Sequence, residues 1–208
     1  MIKIIGTNHL MSKEEIYEII KKENPDVIGV ELCSTRFNLL VMPKLLGIEN
    51  NTKETEKRKD DTLIGKIADK LNEKYNESNL EYGSDMITAS IYAKENKIHL
   101  ELLDMDITRL KELMEKIPEK EINGFLEELQ KFEKMSMQEV KDQQTEEKVN
   151  ETINELKTNY PVSYEFLITM RELIISNNIL RTINKYPSKK ILIILGMGHI
   201  KSIGGYLK

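Results

Sequence analysis

Residues 191–199 read ILIILGMGH: five consecutive apolar side chains, three of them isoleucines, cut off by Gly-x-Gly-His. A short, continuously apolar run closed by glycines predicts a strand buried on both faces, as in a parallel sheet. The glycines allow a sharp turn or a close backbone approach, and His199 then follows just past the strand's carboxyl end. In open α/β sheets that end is where ligands bind. The amino terminus repeats the arrangement, with IKII at residues 2–5 and then Gly6-Thr7-Asn8-His9. Two apolar strands, each followed by Gly-x-x-His, bracket the chain, and the fold has to bring them together.

The stretches between them supply two further strands. Ser12 with Glu15 forms a capping box, and Ile16, Ile19 and Ile20 at helical spacing predict an amphipathic helix over 13–23. Asn24-Pro25-Asp26 ends it and VIGVEL at 27–32 is the second buried strand, giving a βαβ unit with a right-handed crossover. Glu31 lies at its end. A helix starting at Cys33, Ser34 and Thr35 runs to Pro43. The charged run IENNTKETEKRKDD at 48–61 predicts a surface loop. Leu63, Ile67 and Leu71 mark the next helix. After Gly83-Ser84 comes another, with Met86, Ala89, Ser90 and Ala93 forming a small-residue stripe for close packing. IHLELL at 98–103 is the third strand, followed by Asp104 and Asp106.

Residues 107–187 contain no strand pattern. Four helices are expected: around Leu110–Ile117, around Ile122–Leu129, around Val149–Leu156, and from Pro161, suited to a first helical turn, to about 184. The prediction is an α/β domain spanning 1–208, with a small, mostly parallel sheet, flanking helices, and a helical insertion at 107–187 before the last strand. At 208 residues the chain can bury a real core. A net charge of −4 argues against nucleic acid as a partner. The single cysteine excludes an intrachain disulfide and a cysteine-based zinc site. It fits a reducing, cytoplasmic location. No signal pattern opens the chain, and no apolar run approaches the roughly 18–20 residues of a membrane span. A homodimer completing its pocket with a neighbour's helices is compatible with this composition.

Four expected strands therefore deliver His9, Glu31, Asp104 with Asp106, and His199 to one end of a sheet. Each has a plain structural alternative: a histidine can sit at the core edge, and an aspartate can cap the helix from 107. Glu31 is harder to dismiss, because an unpaired buried carboxylate costs several kcal/mol. It needs Arg36, Arg109, a histidine or a metal. Two histidines with nearby carboxylates are suitable ligands for a divalent ion such as zinc, manganese or cobalt. Such an ion can activate water, with a carboxylate as base. His99, inside a strand, reads as structural. Cys33 could act as a nucleophile at a helix start, although nothing else resembles a cysteine hydrolase. Gly196-Met197-Gly198 lacks the fuller spacing of a phosphate-binding loop.

The ordered set Gly6-Thr7-Asn8-His9, Pro25-Asp26, Val30-Glu31-Leu32-Cys33 with Arg36, and Gly196-Met197-Gly198-His199 resembles the TraB/PrgY pheromone-shutdown family, related to the Tiki metalloproteases. Gly83-Ser84-Asp85-Met86 and Asp104-Met105-Asp106-Ile107 fall where that family has its middle motifs. Arg171-Glu172 is the nearest trace of its Glu-Arg-Asp-like motif. The resemblance implies metal-dependent peptide hydrolysis, with His9, Glu31 and His199 as catalytic candidates and Asp104 as a further metal ligand. Arg36, Asp85, Asp106 and Arg109 are expected around the substrate. The alternatives are a peptide-sequestering regulator of the pheromone-shutdown type without turnover, or a structural role for the charged helices.

Overall fold

The computed structural model describes residues 1–8, 10–48, 62–76 and 83–207. His9 and nearly all of the expected loop at 48–61 lie outside the described residues. Four strands form one parallel sheet: β1 (Ile2–Thr7), β2 (Val27–Val30), β3 (His99–Leu102) and β4 (Ile191–Gly196), in the order β1-β4-β2-β3. The two strands from the chain's ends are thus neighbours, paired from Ile2 with Ile191 to Thr7 with Gly196. β4 is buried along its whole length, which is the physical reason it could carry an unbroken apolar run.

Helices cover both faces. On one face Ile28, Val30, Leu192 and Ile194 pack with Ile16 and Ile20 of α1 (Lys13–Glu23) and with Met86, Ala89 and Ala93 of α5 (Ser84–Glu95). The predicted small-residue stripe lies in this contact, with Ala89 and Ala93 fully enclosed. On the other face Val27, Ile191, Ile193 and Leu195 meet Ile175 and Ile179 of α11 (Met170–Lys185) and Ile203 of α12 (Met197–Tyr206). α1 has the bounds its spacing predicts. Ser12 and Glu15 exchange both capping bonds, and Asn24 closes the helix in the left-handed conformation at φ 44°.

Pro43 does not simply stop the helix after Cys33. That helix, α2 (Ser34–Leu40), ends on its own, and Pro43 lies in the first turn of the short α3 (Met42–Leu45), where its missing N–H costs nothing. α4 spans Leu63–Asn76.

Between β3 and β4 the described residues are helical: α6 (Ile107–Met114), α7 (Glu119–Lys134), α8 (Met137–Asp142), α9 (Glu146–Asn159), α10 (Pro161–Tyr164), a π-helical turn (Glu165–Thr169) and α11. They build a third cluster on Met105, Leu110, Met114 and Ile117, against which Val162, Phe166 and Met170 pack. Glu121 of α7 caps α10, its carboxylate accepting from the amides of Val162 and Ser163 and from the Ser163 hydroxyl. Among the described residues no helix is long and apolar enough to cross a membrane.

The stretch after β4 is not a loop. Met197 begins α12, so His199 stands in a helical first turn despite two flanking glycines. Gly198 and Gly6 serve packing. A Cβ on Gly198 would meet Ile153 Cδ1 of α9 at 2.9 Å, and one on Gly6 would lie 3.2 Å from the Cα of Met197. At Gly6 and Gly198, β1 and α9 therefore pack closely on α12.

Candidate functional site

β2 ends at Val30, and Glu31 turns its side chain toward the end of β4. Its Oε2 accepts the amide of Gly196 at 2.7 Å, one of the N–H groups that a helix start leaves without an internal partner. That placement also sets the carboxylate at the positive end of the α12 dipole. Oε1 accepts from Arg171 Nη2 at 2.5 Å. The partner is an arginine from α11, neither Arg36 nor Arg109.

Asp104, just past β3, is held by two arginines. Arg171 forks onto it, with Nε 3.1 Å from Oδ1 and Nη2 2.8 Å from Oδ2. Arg36 Nη2 donates to Oδ2 and also reaches the carbonyl of Glu31 at 3.2 Å. Oδ1 further accepts the amide of Met105 at 2.7 Å. Side-on pairing of this kind fixes both position and orientation.

His199 lies between two buried carboxylates. Its Nδ1 is 3.3 Å from Glu172 Oε1, and its Nε2 is 3.5 Å from Glu31 Oε1. Burial by itself would disfavour the charged ring. The charge of Glu31 and hydrogen bonding to Glu172 and Glu31 outweigh both burial and the opposing charge of Arg171, and the His199 pKa is pushed up to about 9. At neutral pH this imidazole is a cation that can give up a proton.

The remaining candidates divide. Asp85 is fully buried at the start of α5, where it hydrogen-bonds the Thr7 hydroxyl at the end of β1 and accepts the amide of Met86 at 2.9 Å. Asp106 takes the capping alternative: Oδ1 accepts from the Thr108 amide at 2.8 Å and Oδ2 from the Thr35 hydroxyl at 3.0 Å. The Thr108 amide and the Thr35 hydroxyl hold its carboxyl below the usual range. Arg109 is exposed and stands outside the cluster, because it follows the cap on the solvent side of α6. His99 is exposed at the start of β3 and packs on the Tyr186 ring, 5.0 Å between centroids. Cys33 is buried at the start of α2.

Arg171 and Glu172 are the members that sequence reasoning did not place in the site. The signal lay in the stripe of α11: Glu172 falls three and seven residues before Ile175 and Ile179, and all three are buried. A carboxylate on an apolar stripe must find a partner inside the protein. The π turn explains Arg171. There the Met170 amide reaches back five residues to the carbonyl of Glu165, and Arg171 Nη1 takes up the Leu167 carbonyl at 3.2 Å.

The expected metal ligands can now be tested as a donor set. Both oxygens of Glu31 and of Asp104 already accept hydrogen bonds, and two guanidinium groups sit among them. Among the described residues no group of three or more His, Cys, Asp and Glu is arranged to hold a metal ion. Arg171 Nη2 stands between Glu31 and Asp104, so this pair as arranged does not fit a divalent cation; His9, the other expected histidine ligand, lies outside the described residues. A cavity of about 150 Å³ between β1, α9 and α12 is lined by Gly6, Glu146, Asn150, Met197, Ile200 and Lys201, none of them in the cluster.

No protein-family model matches this chain, and no curated protein matches it.

Proposed function

We propose that the chain is a hydrolase acting on peptides, of the TraB/PrgY kind that its ordered motifs resemble, with Glu31 and His199 as its working groups. The observation that carries this reading is His199 Nε2 3.5 Å from Glu31 Oε1 at the carboxyl end of a parallel sheet, the imidazole pKa being pushed up to about 9 there. Such a pair divides acid and base roles between neighbouring groups. Glu31 takes a proton from the attacking water, whose oxygen bonds to the peptide carbonyl carbon. His199 gives its proton to the departing amine nitrogen as the C–N bond breaks. Glu172 fixes the ring from the other side. Arg36 supplies the substrate-facing edge, since its side chain is 28% exposed. No step in this reading passes through a metal.

The test is mass spectrometry of a defined peptide library incubated with the purified chain, with Glu31→Gln and His199→Asn beside it. Cleavage that falls by roughly a hundredfold or more in either variant is the expected result. Cleavage that survives both substitutions overturns the assignment. A second reading, a peptide-sequestering regulator without turnover, is favoured by the internal pairing of every carboxylate oxygen in the Glu31–Asp104 cluster. It predicts peptides retained intact through gel filtration. A cytoplasmic location and a homodimer belong to this proposal as well, the latter read by light scattering.

A further inference from the structure

Glu31 and Asp104 end adjacent parallel strands, and their side chains are 9% and 1% exposed. Two carboxylates so enclosed need positive charge inside the protein. Arg171 supplies it from a central position, its single Nη2 bridging Glu31 Oε1 at 2.5 Å and Asp104 Oδ2 at 2.8 Å. The guanidinium is fixed on its other edges as well, by Asp104 Oδ1 at Nε and by the Leu167 carbonyl at Nη1. The carbonyl belongs to the π turn, so the local winding of this helix holds the arginine in place. With Arg36 on the far side of Asp104, two guanidinium groups face the two carboxylates, and His199 and Glu172 add one further charge of each sign among the described residues. A divalent ion added here would leave an enclosed excess of positive charge.

We infer that Arg171 is a built-in counter-cation, occupying the position between Glu31 and Asp104 that a divalent metal would have to take. The native site works without a metal, and a neutral residue at 171 opens a cation site. The inference rests on the proposed function only in placing Glu31 at the working centre. Its readout is metal content, so it can fail while peptide cleavage is observed, or hold while none is.

The experiment compares the whole wild-type chain, Arg171→Gln and Arg171→Lys. Each is equilibrated with manganese, cobalt or zinc ions, freed of loosely bound ion by gel filtration, and assayed by elemental analysis and thermal melting. Wild type and Arg171→Lys are expected to retain negligible metal and each to melt at the same temperature with or without it. Arg171→Gln is expected to melt lower without metal, to retain a stoichiometric amount of at least one of the ions, and to regain melting temperature with it. Adding Glu31→Gln to Arg171→Gln should abolish that retention. Stoichiometric metal in the wild type overturns the inference, as does a folded Arg171→Gln that retains none. Should Arg171→Gln fail to fold alone, refolding with each ion decides: recovery of the helical circular dichroism supports the inference, and no recovery with any ion overturns it.

Discussion

The stability of this protein should fall on the alkaline side for a reason confined to one side chain. His199 has an ordinary value of 6.5 and is raised to about 9 in the fold. The groups that face it are Glu31 from the end of β2, and Glu172 and Arg171 from α11. A folded-state pKa above the unfolded one means that the native state binds the proton more tightly. The stabilisation is therefore complete below about 6.5 and is lost as pH rises through about 9. The shift corresponds to about 3 kcal/mol at low pH, about half of that near pH 8, and little beyond pH 9. Urea unfolding of the wild type and His199→Gln at a series of pH values isolates the contribution, because titrations common to both chains cancel in the difference. The difference should shrink steadily across that window. A flat difference, or one that grows with pH, would mean that His199 is neutral in the fold and that the ion-pair geometry with Glu31 has been misread.

Three further perturbations probe other contacts. Glu121→Ala removes the acceptor for the amides of Val162 and Ser163 and for the Ser163 hydroxyl, and should cost about 1–3 kcal/mol; a loss below about 0.5 kcal/mol, the range of an ordinary surface change, would show that the cap does not hold α10. Gly29→Ala places a methyl 2.6 Å from Ile193 Cδ1 and 2.8 Å from Leu103 Cδ1, and should destabilise by about 1–3 kcal/mol in a thermal melt. Ile193→Val deletes the first of these atoms, so the double variant should lose less than the sum of the singles; strict additivity would place the crowding elsewhere.

The sheet was readable because each strand announced itself locally. An unbroken apolar run such as ILIIL can be satisfied only by cover on both sides, and both faces of β4 are indeed covered. Helix α1 was equally plain, since its capping box and its Ile16 and Ile20 stripe are local signals. Where the sequence misled, longer-range packing won. Gly196, Met197 and Gly198 read as a turn because glycine is a poor helix former. The fold ends β4 at Gly196 and starts α12 at Met197, and the glycines answer to packing: a Cβ on Gly6 would meet α12 and one on Gly198 would meet α9. Asp106 was credited to the site because it follows β3, but a side chain one residue past Met105 turns outward with the start of α6 and meets Thr108 and Thr35.

What the sequence determined alone was that charged groups gather at one end of a parallel sheet: Glu31 directly follows buried Val30, Asp104 follows buried Leu103, and His199 follows the glycines after β4. What only the tertiary structure decided was what neutralises them. Arg171 lies 140 residues from Glu31 and 67 from Asp104 along the chain. Its arrival depends on the packing of α11 across the sheet and on a π turn that no local pattern marks. Burial makes a counter-charge obligatory, but its identity depends on which distant helix reaches the strand ends. The Gly-Met-Gly-His at residues 196–199 thus carries a histidine that the fold sets between the carboxylates of Glu172 and Glu31.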